Sequence, residues 1–258
     1  MKIFLYSLIL FSILISGCAK SVKIPNVVRK NSVNPNIHWH RVLKNYVNKK
    51  GEVDFHGLSQ NPDDLYIFVN FISQVSPESN PQLFLTRESK IAFYINSYNA
   101  LSIYNRLDSD IPETLAGLRK VKFFFLKKFT IGGKKMSLYT YENKVIRKHG
   151  EERVHFALNC MTIGCPRLPQ APFTPDKLND QLEHEAKRFF EESRNVLIDH
   201  KSQTLRLSEI MKFYKKDFLL HSSSLISYVN KYRKEKIPEN YKMKFIDYDW
   251  TVNAQGEE

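Results

Sequence analysis

Cysteine is scarce in this sequence: the 258 residues contain three cysteines, Cys18, Cys160 and Cys165. Small secreted domains that cannot build a core depend on dense disulfides, so this chain is not a disulfide scaffold. Aromatic residues are plentiful in comparison, with 18 Phe and 13 Tyr. A chain this rich in aromatics is not a solvated tail, and it is long enough to bury a core as one domain.

The chain begins with an apolar run, residues 3–15, that is shorter than the ~20 residues a membrane-spanning helix needs. A positive start at Lys2, this short run and the small residues Ser16 and Gly17 together form a secretory signal peptide. Cys18 follows directly, as in a lipobox, and we predict cleavage before Cys18 and lipidation of its thiol. The alternatives are a plain signal peptide that contains a cysteine, and an N-terminal helix that remains uncut.

Lipidation of Cys18 attaches the mature chain to a membrane, because several acyl chains on one residue bind stably. We therefore expect a cell-envelope lipoprotein whose membrane partner is reached through Cys18. The next residue is Ala19 and not Asp, which favours the periplasmic side of the outer membrane.

The sequence has no arginine-rich stripe with interleaved aromatics. Lys and Arg total 39 against 27 Asp and Glu, a formal net charge of +12, but the basic residues are scattered along the chain. We predict no nucleic-acid partner, because such a stripe is absent and export is expected. The surplus of positive charge favours an anionic lipid or glycan surface instead.

No internal repeat and no low-complexity linker follow residue 36. We divide the chain into a signal peptide (1–17), a lipid-anchored tether (18–36), one domain (37–253) and a tail (254–258). Apolar periodicity and turn residues predict helices near 39–47, 63–75, 88–107, 139–148, 174–189, 208–218 and 223–232, hairpins at 121–138 and 196–207, a buried strand at 154–160 and an extended piece at 245–250. The pattern indicates the α+β class, as a single helix-rich domain with short antiparallel strand pairs.

The segment 154–166 contains the groups best suited to chemistry. A predicted strand carries His155 and Cys160, and the turn that follows carries Cys165 just before Pro166. In one interpretation Cys165 is a nucleophile, which requires a base to take its proton and a third group to orient that base. His155 is the nearest candidate base.

Other residues could complete such a site. His149 and His184 are more distant candidate bases, and Asn96, Asn99 or Glu142 could orient the base or donate to an oxyanion. Asn96 and Asn99 lie three residues apart on a predicted helix and share a face. Amides on an apolar face are costly unless bonded, so we expect both to be buried and hydrogen-bonded, at least one of them to the cysteine segment.

The same cysteines allow three other interpretations. Cys160 and Cys165 could form a disulfide in an oxidising compartment, or they could be buried and inert. His155 and the two cysteines could bind zinc, but this set has no clear fourth ligand and no close cysteine pairs, so we predict no metal. Spacing alone favours the disulfide and thiol catalysis about equally, and nothing in the sequence indicates a cofactor.

Five stretches of the sequence carry a further signal: residues 46–55 (YVNKKGEVDF), 92–100 (AFYINSYNA), 142–147 (ENKVIR), 155–166 (HFALNCMTIGCP) and 247–253 (DYDWTVN). In this order they resemble the DUF547 domain family. The resemblance implies no defined activity, but it includes Asn96, Asn99, His155 and both cysteines in family motifs. One departure is Asn143, where many members have a histidine after the glutamate.

If that histidine is the family's base, this chain is impaired, and His155 is the only motif histidine left for the role. The plant and animal members of the family that have this cysteine pair look intracellular. Because disulfides are rare inside cells, an obligatory disulfide is less favoured. We therefore predict a thiol-dependent hydrolase or acyltransferase of unknown substrate. The alternative is a non-catalytic binding or structural module whose cysteines are bridged or buried.

Overall fold

The computed structural model describes residues 21–25, 34–109 and 113–256. The predicted signal peptide and Cys18 lie outside the described residues. The helices are α1 (Pro35–Tyr46), α2 (Phe55–Gln60), α3 (Asp63–Gln74), α4 (Arg87–Leu107), α5 (Leu118–Val121), α6 (Leu138–Lys144), α7 (Leu178–Glu191), α8 (Ile210–Phe213), α9 (Lys215–Leu219) and α10 (Leu225–Tyr232), with a π-helical turn at Lys122–Leu126. Among the described residues, no helix is both long enough and apolar enough to cross a membrane.

The strands form two small sheets: β1 (Phe129–Ile131), β2 (Lys134–Met136), β3 (Val196–Asp199), β4 (Thr204–Ser208) and β5 (Lys242–Ile246). β1 and β2 pair antiparallel through Gly132 and Gly133, whose φ angles of +52° and +79° suit glycine. β3 and β4 form a second antiparallel pair, and β5 joins β4 in parallel. The predicted α+β class is confirmed, while the parallel strand was not predicted because its own residues do not reveal its partner.

Helix α4 runs through the interior of the domain. It begins with a capping box in which the Thr86 side chain accepts from the Ser89 backbone N–H and the Ser89 side chain accepts from that of Thr86. Every residue from 91 to 106 is buried, as expected of a helix surrounded by other elements. Its polar residues, Asn96 and Asn99 among them, must therefore find partners inside the protein.

Two clusters of buried apolar side chains form the core. The larger surrounds α4 and includes both Cys160 and Cys165. The smaller packs α7 and α10 around Phe156, whose ring stacks on Phe218 with 5.4 Å between the centroids. Tyr248 packs against both clusters, so the two meet beside the cysteines.

The region predicted as a long hairpin, residues 121–138, is only partly extended. Helix α5 and the π-helical turn precede the short pair of β1 and β2. Aromatic residues favour strands, and the composition of this phenylalanine run therefore predicts one. In the structure Phe123 is buried while Phe125 and Leu126 are exposed, and this burial does not alternate residue by residue as it does in a strand.

Helix α7 begins at Leu178, later than the predicted start at Thr174 and Pro175. The Gln181 side chain accepts from the Thr174 backbone N–H and donates to the Pro172 carbonyl, both at 2.9 Å. These bonds hold the residues before α7 in a turn, and Thr174 therefore does not cap the helix.

Residues 21–25, which fall within the predicted tether, lie against the domain. The Val22 backbone N–H donates to the Lys128 carbonyl at 2.8 Å, and the Tyr104 hydroxyl donates to the Lys23 carbonyl at 2.8 Å. Hydrogen bonds to the domain therefore fix the course of the chain at this point.

Candidate active site

The segment before the cysteines is a short 3₁₀ turn, Glu152–Phe156, and not the strand predicted for residues 154–160. The Glu151 side chain caps this turn by accepting from the Arg153 backbone N–H. A short buried apolar run is ambiguous between strand and helix, and no strand of the described residues pairs with it. The predicted element type was wrong, whereas the predicted burial is confirmed.

The loop that carries the cysteines is held on both sides. Asn159 donates through Nδ2 to the Pro166 carbonyl at 2.7 Å, and its Oδ1 accepts from the Met161 N–H at 2.6 Å. The Gly164 N–H donates to the Asp249 carbonyl at 2.9 Å, and a Cβ on Gly164 would come as close as 2.9 Å to that oxygen. Met161 has a φ of +66°, a conformation uncommon outside glycine, and the chain turns sharply there.

The two thiols lie in contact at this turn. The Sγ atoms of Cys160 and Cys165 are 2.8 Å apart and unbridged. The Cys165 sulfur accepts the backbone N–H of Cys160 at 3.0 Å. The hydroxyls of Tyr248 and Thr162 lie 3.0 and 3.4 Å from the same sulfur. Two hydroxyls, one thiol and one backbone N–H therefore converge on Cys165.

These donors give the two thiols different pKa values. Burial alone raises the pKa of Cys165, but the hydrogen bonds from Cys160, Thr162 and Tyr248 outweigh burial and lower that pKa to about 6. Burial and the neighbouring Cys165 raise the pKa of Cys160 well above its ordinary value. Cys165 is therefore the more readily ionised of the two thiols, and the thiolate is the attacking form of cysteine, while Cys160 is the thiol that donates to it.

His155 is buried in the same region and is oriented by a carboxylate. Its Nε2 lies 2.9 Å from Oδ2 of Asp217, and its ring stacks on Tyr214 with 3.6 Å between the centroids. Burial opposes the charge on Asp217, but hydrogen bonds from His155 and Arg147 hold the pKa of that carboxyl well below its usual range. An ionised Asp217 accepts the Nε2–H of His155, which leaves the lone pair on Nδ1.

The Nδ1 atom of His155 is buried and has no hydrogen-bond partner among the described residues. Buried polar atoms are nearly always bonded, and an exception calls for an explanation such as a ligand or a catalytic role. No hydrogen bond joins His155 to either thiol within the part of the chain that the structure describes. The pKa of Cys165 is therefore lowered by the hydrogen-bond donors at its sulfur, and not by His155.

Cys165 lies between two cavities. One, of about 70 Å³, is lined by both thiols together with His155 and Glu142. The other, of about 190 Å³, is lined by Cys165 together with Lys50 and Arg194. Cys165 is 4% exposed, and it borders an aromatic cavity on one side and a cavity with basic side chains on the other.

Glu142 accepts hydrogen bonds from two tyrosines. The Tyr214 hydroxyl lies 2.5 Å from its Oε1, and the Tyr98 hydroxyl lies 3.2 Å from its Oε2. Since the Tyr214 ring stacks on His155, Glu142 orients the imidazole through that ring. The structure thus brings Glu142 to the cavity, with a tyrosine between it and the imidazole.

Asn96 and Asn99 are buried and hydrogen-bonded, as predicted. Asn99 donates to the Ala157 carbonyl at 2.9 Å and accepts from the Asn159 N–H at 2.8 Å. Asn96 donates to the Phe173 carbonyl at 2.8 Å. Both amides join α4 to loops, and neither lines the cavity of His155.

The remaining candidates lie apart from the thiols. His149 packs beside Tyr94, with 5.0 Å between the ring centroids, and His184 lines a separate depression. Asn143, in place of the family's histidine, accepts from Arg147 at 2.5 Å. Within residues 21–25, 34–109 and 113–256, no group of three His, Cys, Asp or Glu side chains is arranged to hold a metal ion.

Two residues of the site were not identified from the sequence. Asp217 is 62 positions from His155, and a carboxylate next to Lys215 and Lys216 resembles an ordinary surface charge. Tyr248 falls within the last of the five stretches, residues 247–253. Its place in that stretch was the one sequence feature that could have indicated a role in the site.

The comparisons with known proteins give one match. Residues 83–190 match the family described as "Protein of unknown function, DUF547". This segment contains three of the five stretches and both cysteines, His155, Asn96 and Asn99. No curated protein and no solved structure matches the chain. Residues 83–190 of this protein therefore match the DUF547 family, in agreement with the resemblance carried by the five stretches.

Proposed function

We propose that this protein is a thiol-dependent hydrolase or acyltransferase with Cys165 as its nucleophile. The observation that carries the proposal is the Cys165 sulfur, which receives a backbone N–H and two hydroxyls within 3.4 Å. These donors stabilise a thiolate before substrate arrives, and an activated nucleophile of this kind is what covalent catalysis requires. His155 and Cys165 line one cavity of about 70 Å³, and Nδ1 of His155 has no hydrogen-bond partner among the described residues.

In the proposed reaction, the Cys165 thiolate attacks a substrate carbonyl and forms a C–S bond. The bond to the leaving group then breaks, and the leaving group takes a proton from solvent. His155 Nδ1 next accepts a proton from water, or from an acceptor alcohol or amine, which attacks the thioester. The C–S bond breaks, the thiolate is restored, and His155 returns its proton to solvent. Asp217 keeps the imidazole in the required tautomer.

A small activated ester, p-nitrophenyl acetate, tests this reaction without a known substrate. We expect one acetyl group on Cys165, found by mass spectrometry of peptides, with release of p-nitrophenolate. His155→Gln should still acquire the acetyl group but lose it roughly 10²–10⁴-fold more slowly, because a general base contributes about that factor. Cys160→Ser is the matched control, since a hydroxyl replaces the donor thiol. If Cys165 remains unacetylated in the folded, reduced protein, the proposal is wrong.

The 2.8 Å contact between the two sulfur atoms favours a second candidate, a non-catalytic binding or structural module with a bridged pair. The isolated protein would then contain a Cys160–Cys165 disulfide. It would also remain inert toward the ester after reduction, and this second result separates the two candidates.

We also propose that the domain is carried in the cell envelope, on the periplasmic side of the outer membrane, by lipid on Cys18. The support is the lipobox-like end of the signal peptide, in which Ser16 and Gly17 precede Cys18. The net positive charge favours an anionic lipid or glycan surface as the partner, with no role for nucleic acid.

A further inference from the structure

An exposed apolar surface lies on α5, on the π-helical turn that follows it and on the start of α6. Leu118 is 87% exposed, and four further large side chains are 40–46% exposed. We call these five residues the apolar face: Leu118, Val121, Phe125, Leu126 and Tyr139. The rings of Phe125 and Tyr139 lie 4.5 Å apart. Single exposed apolar residues are common, but a group of neighbours marks a binding surface.

The chain around the apolar face is basic. Residues 114–141 contain seven Lys and Arg and no Asp or Glu. Lys127 pairs with Asp108, whereas Arg119, Lys122 and Lys128 are exposed. Cations beside large apolar side chains are typical of segments that lie in a membrane interface.

The start of the described chain lies beside the same segment. Ser21 forms a parallel bridge with Lys128, and the Val22 N–H donates to the Lys128 carbonyl at 2.8 Å. Cys18 precedes Ser21 by three residues, and three residues span at most about 11 Å. An acyl chain on Cys18 would therefore enter a bilayer close to Lys128, two positions from Leu126.

We propose that the apolar face docks onto an anionic phospholipid bilayer. Leu118, Phe125 and Leu126 enter the boundary between headgroups and acyl chains, while Arg119, Lys122 and Lys128 meet lipid phosphates. A partner protein or a second copy of this chain could cover the apolar residues, but neither accounts for a stretch without a single acidic residue whose Lys128 pairs with Ser21, three residues after Cys18. The orientation rests on the lipid anchor proposed above, whereas the exposure and the charge do not.

The test places a fluorescent reporter on the apolar face. Full-length Phe125→Trp protein is reconstituted into phosphatidylcholine–phosphatidylglycerol vesicles that contain phosphatidylcholine brominated on its acyl chains. The parent protein supplies the background of Trp39 and Trp250, and Leu220→Trp is the control, since Leu220 is 81% exposed and lies outside the face. We expect quenching of Phe125→Trp to exceed that of Leu220→Trp about twofold or more, because only the former reaches the lipid.

Replacing Arg119, Lys122 and Lys128 by Gln should lower the quenching of Phe125→Trp to the level of the control. All of these positions are exposed, and thermal unfolding verifies that each variant folds. Equal quenching of the two reporters overturns the proposal, and quenching that is unchanged in the Gln variant overturns its anionic-lipid part. A blue shift of the Phe125→Trp emission that grows with protein concentration in lipid-free detergent would indicate a second copy instead. The mass of the mature chain reports the lipid on Cys18 independently, so failure of the anchor and failure of docking are distinguishable.

Discussion

At the residue scale, Asn99 couples the interior helix α4 to the cysteine loop. Its amide satisfies the Ala157 carbonyl and the Asn159 N–H. Leucine at this position would leave both backbone groups buried and unpaired, and each such group costs about 1–3 kcal/mol. We expect Asn99→Leu to lower the free energy of unfolding by roughly 2–6 kcal/mol, measured by urea denaturation.

The matched control for this change is Asn179→Leu, at an exposed position of α7. A surface substitution of this kind is expected to change the free energy of unfolding by about 0.5 kcal/mol or less. Equal unfolding curves for the two variants would show that the Asn99 amide does not hold the loop.

Also at the residue scale, the sequence identified the parts of the site that lie close together along the chain. His155, Cys160 and Cys165 fall in one short segment, and all three line the same cavity as Glu142. Tyr248 contacts Cys165 across 83 positions, and no local pattern encodes a contact over that distance. The Tyr248 hydroxyl helps to lower the pKa of Cys165. The protonation of this thiol could therefore not be predicted from the sequence without the fold.

At the scale of elements, the confirmed predictions are those in which the pattern within an element decides its structure. Helix α4 spans Arg87–Leu107 against a predicted 88–107, because its apolar residues recur over many turns. The β3–β4 hairpin likewise matches the predicted 196–207, since it consists of two extended runs and the polar turn between them.

The predictions that were wrong concern elements whose structure is decided by their surroundings in the fold. Residues 154–160 are apolar enough for a buried strand, but no strand of the described residues pairs with them, and a 3₁₀ turn forms. The phenylalanine run at 123–125 has the composition of a strand, but it lies on a surface where only Phe123 is buried. Composition alone does not show whether an aromatic run faces a neighbouring strand or solvent.

At the scale of the whole molecule, the thiols lie where the two core clusters meet. Cys160 and Cys165 belong to the larger cluster, while Phe156, next to His155, belongs to the smaller. Tyr248 packs against both clusters and also donates to Cys165. The lowered pKa of Cys165 is therefore a property of the complete fold, and we expect it to be lost on unfolding.

In the proposed lipoprotein, the attachment of the whole molecule to a membrane would depend on Cys18. If diacylglycerol is added to that thiol before cleavage, as we propose, Cys18→Ser should leave an unprocessed precursor and remove the lipidated mature form from the membrane fraction. Cys160→Ser, which keeps the lipobox-like sequence, is the control and should be processed normally. Cleavage of Cys18→Ser to the normal size, with unchanged membrane fractionation, would contradict the lipoprotein assignment.

The most direct test of the account is the pH dependence of alkylation at Cys165. The rate constant for iodoacetamide is measured in the native, reduced protein by mass spectrometry of the Cys165 peptide. Only the thiolate reacts, so the rate should fall below a midpoint near pH 6 and be constant above it, since the pKa is lowered to about 6. Tyr248→Phe should move the midpoint toward the ordinary thiol value of about 8.5, while Tyr139→Phe, at an exposed tyrosine, should leave it unchanged. A midpoint at or above about 8.5 in the unaltered protein, or a thiol that reacts only after denaturation, would contradict the central claim that Cys165 is a stabilised nucleophile.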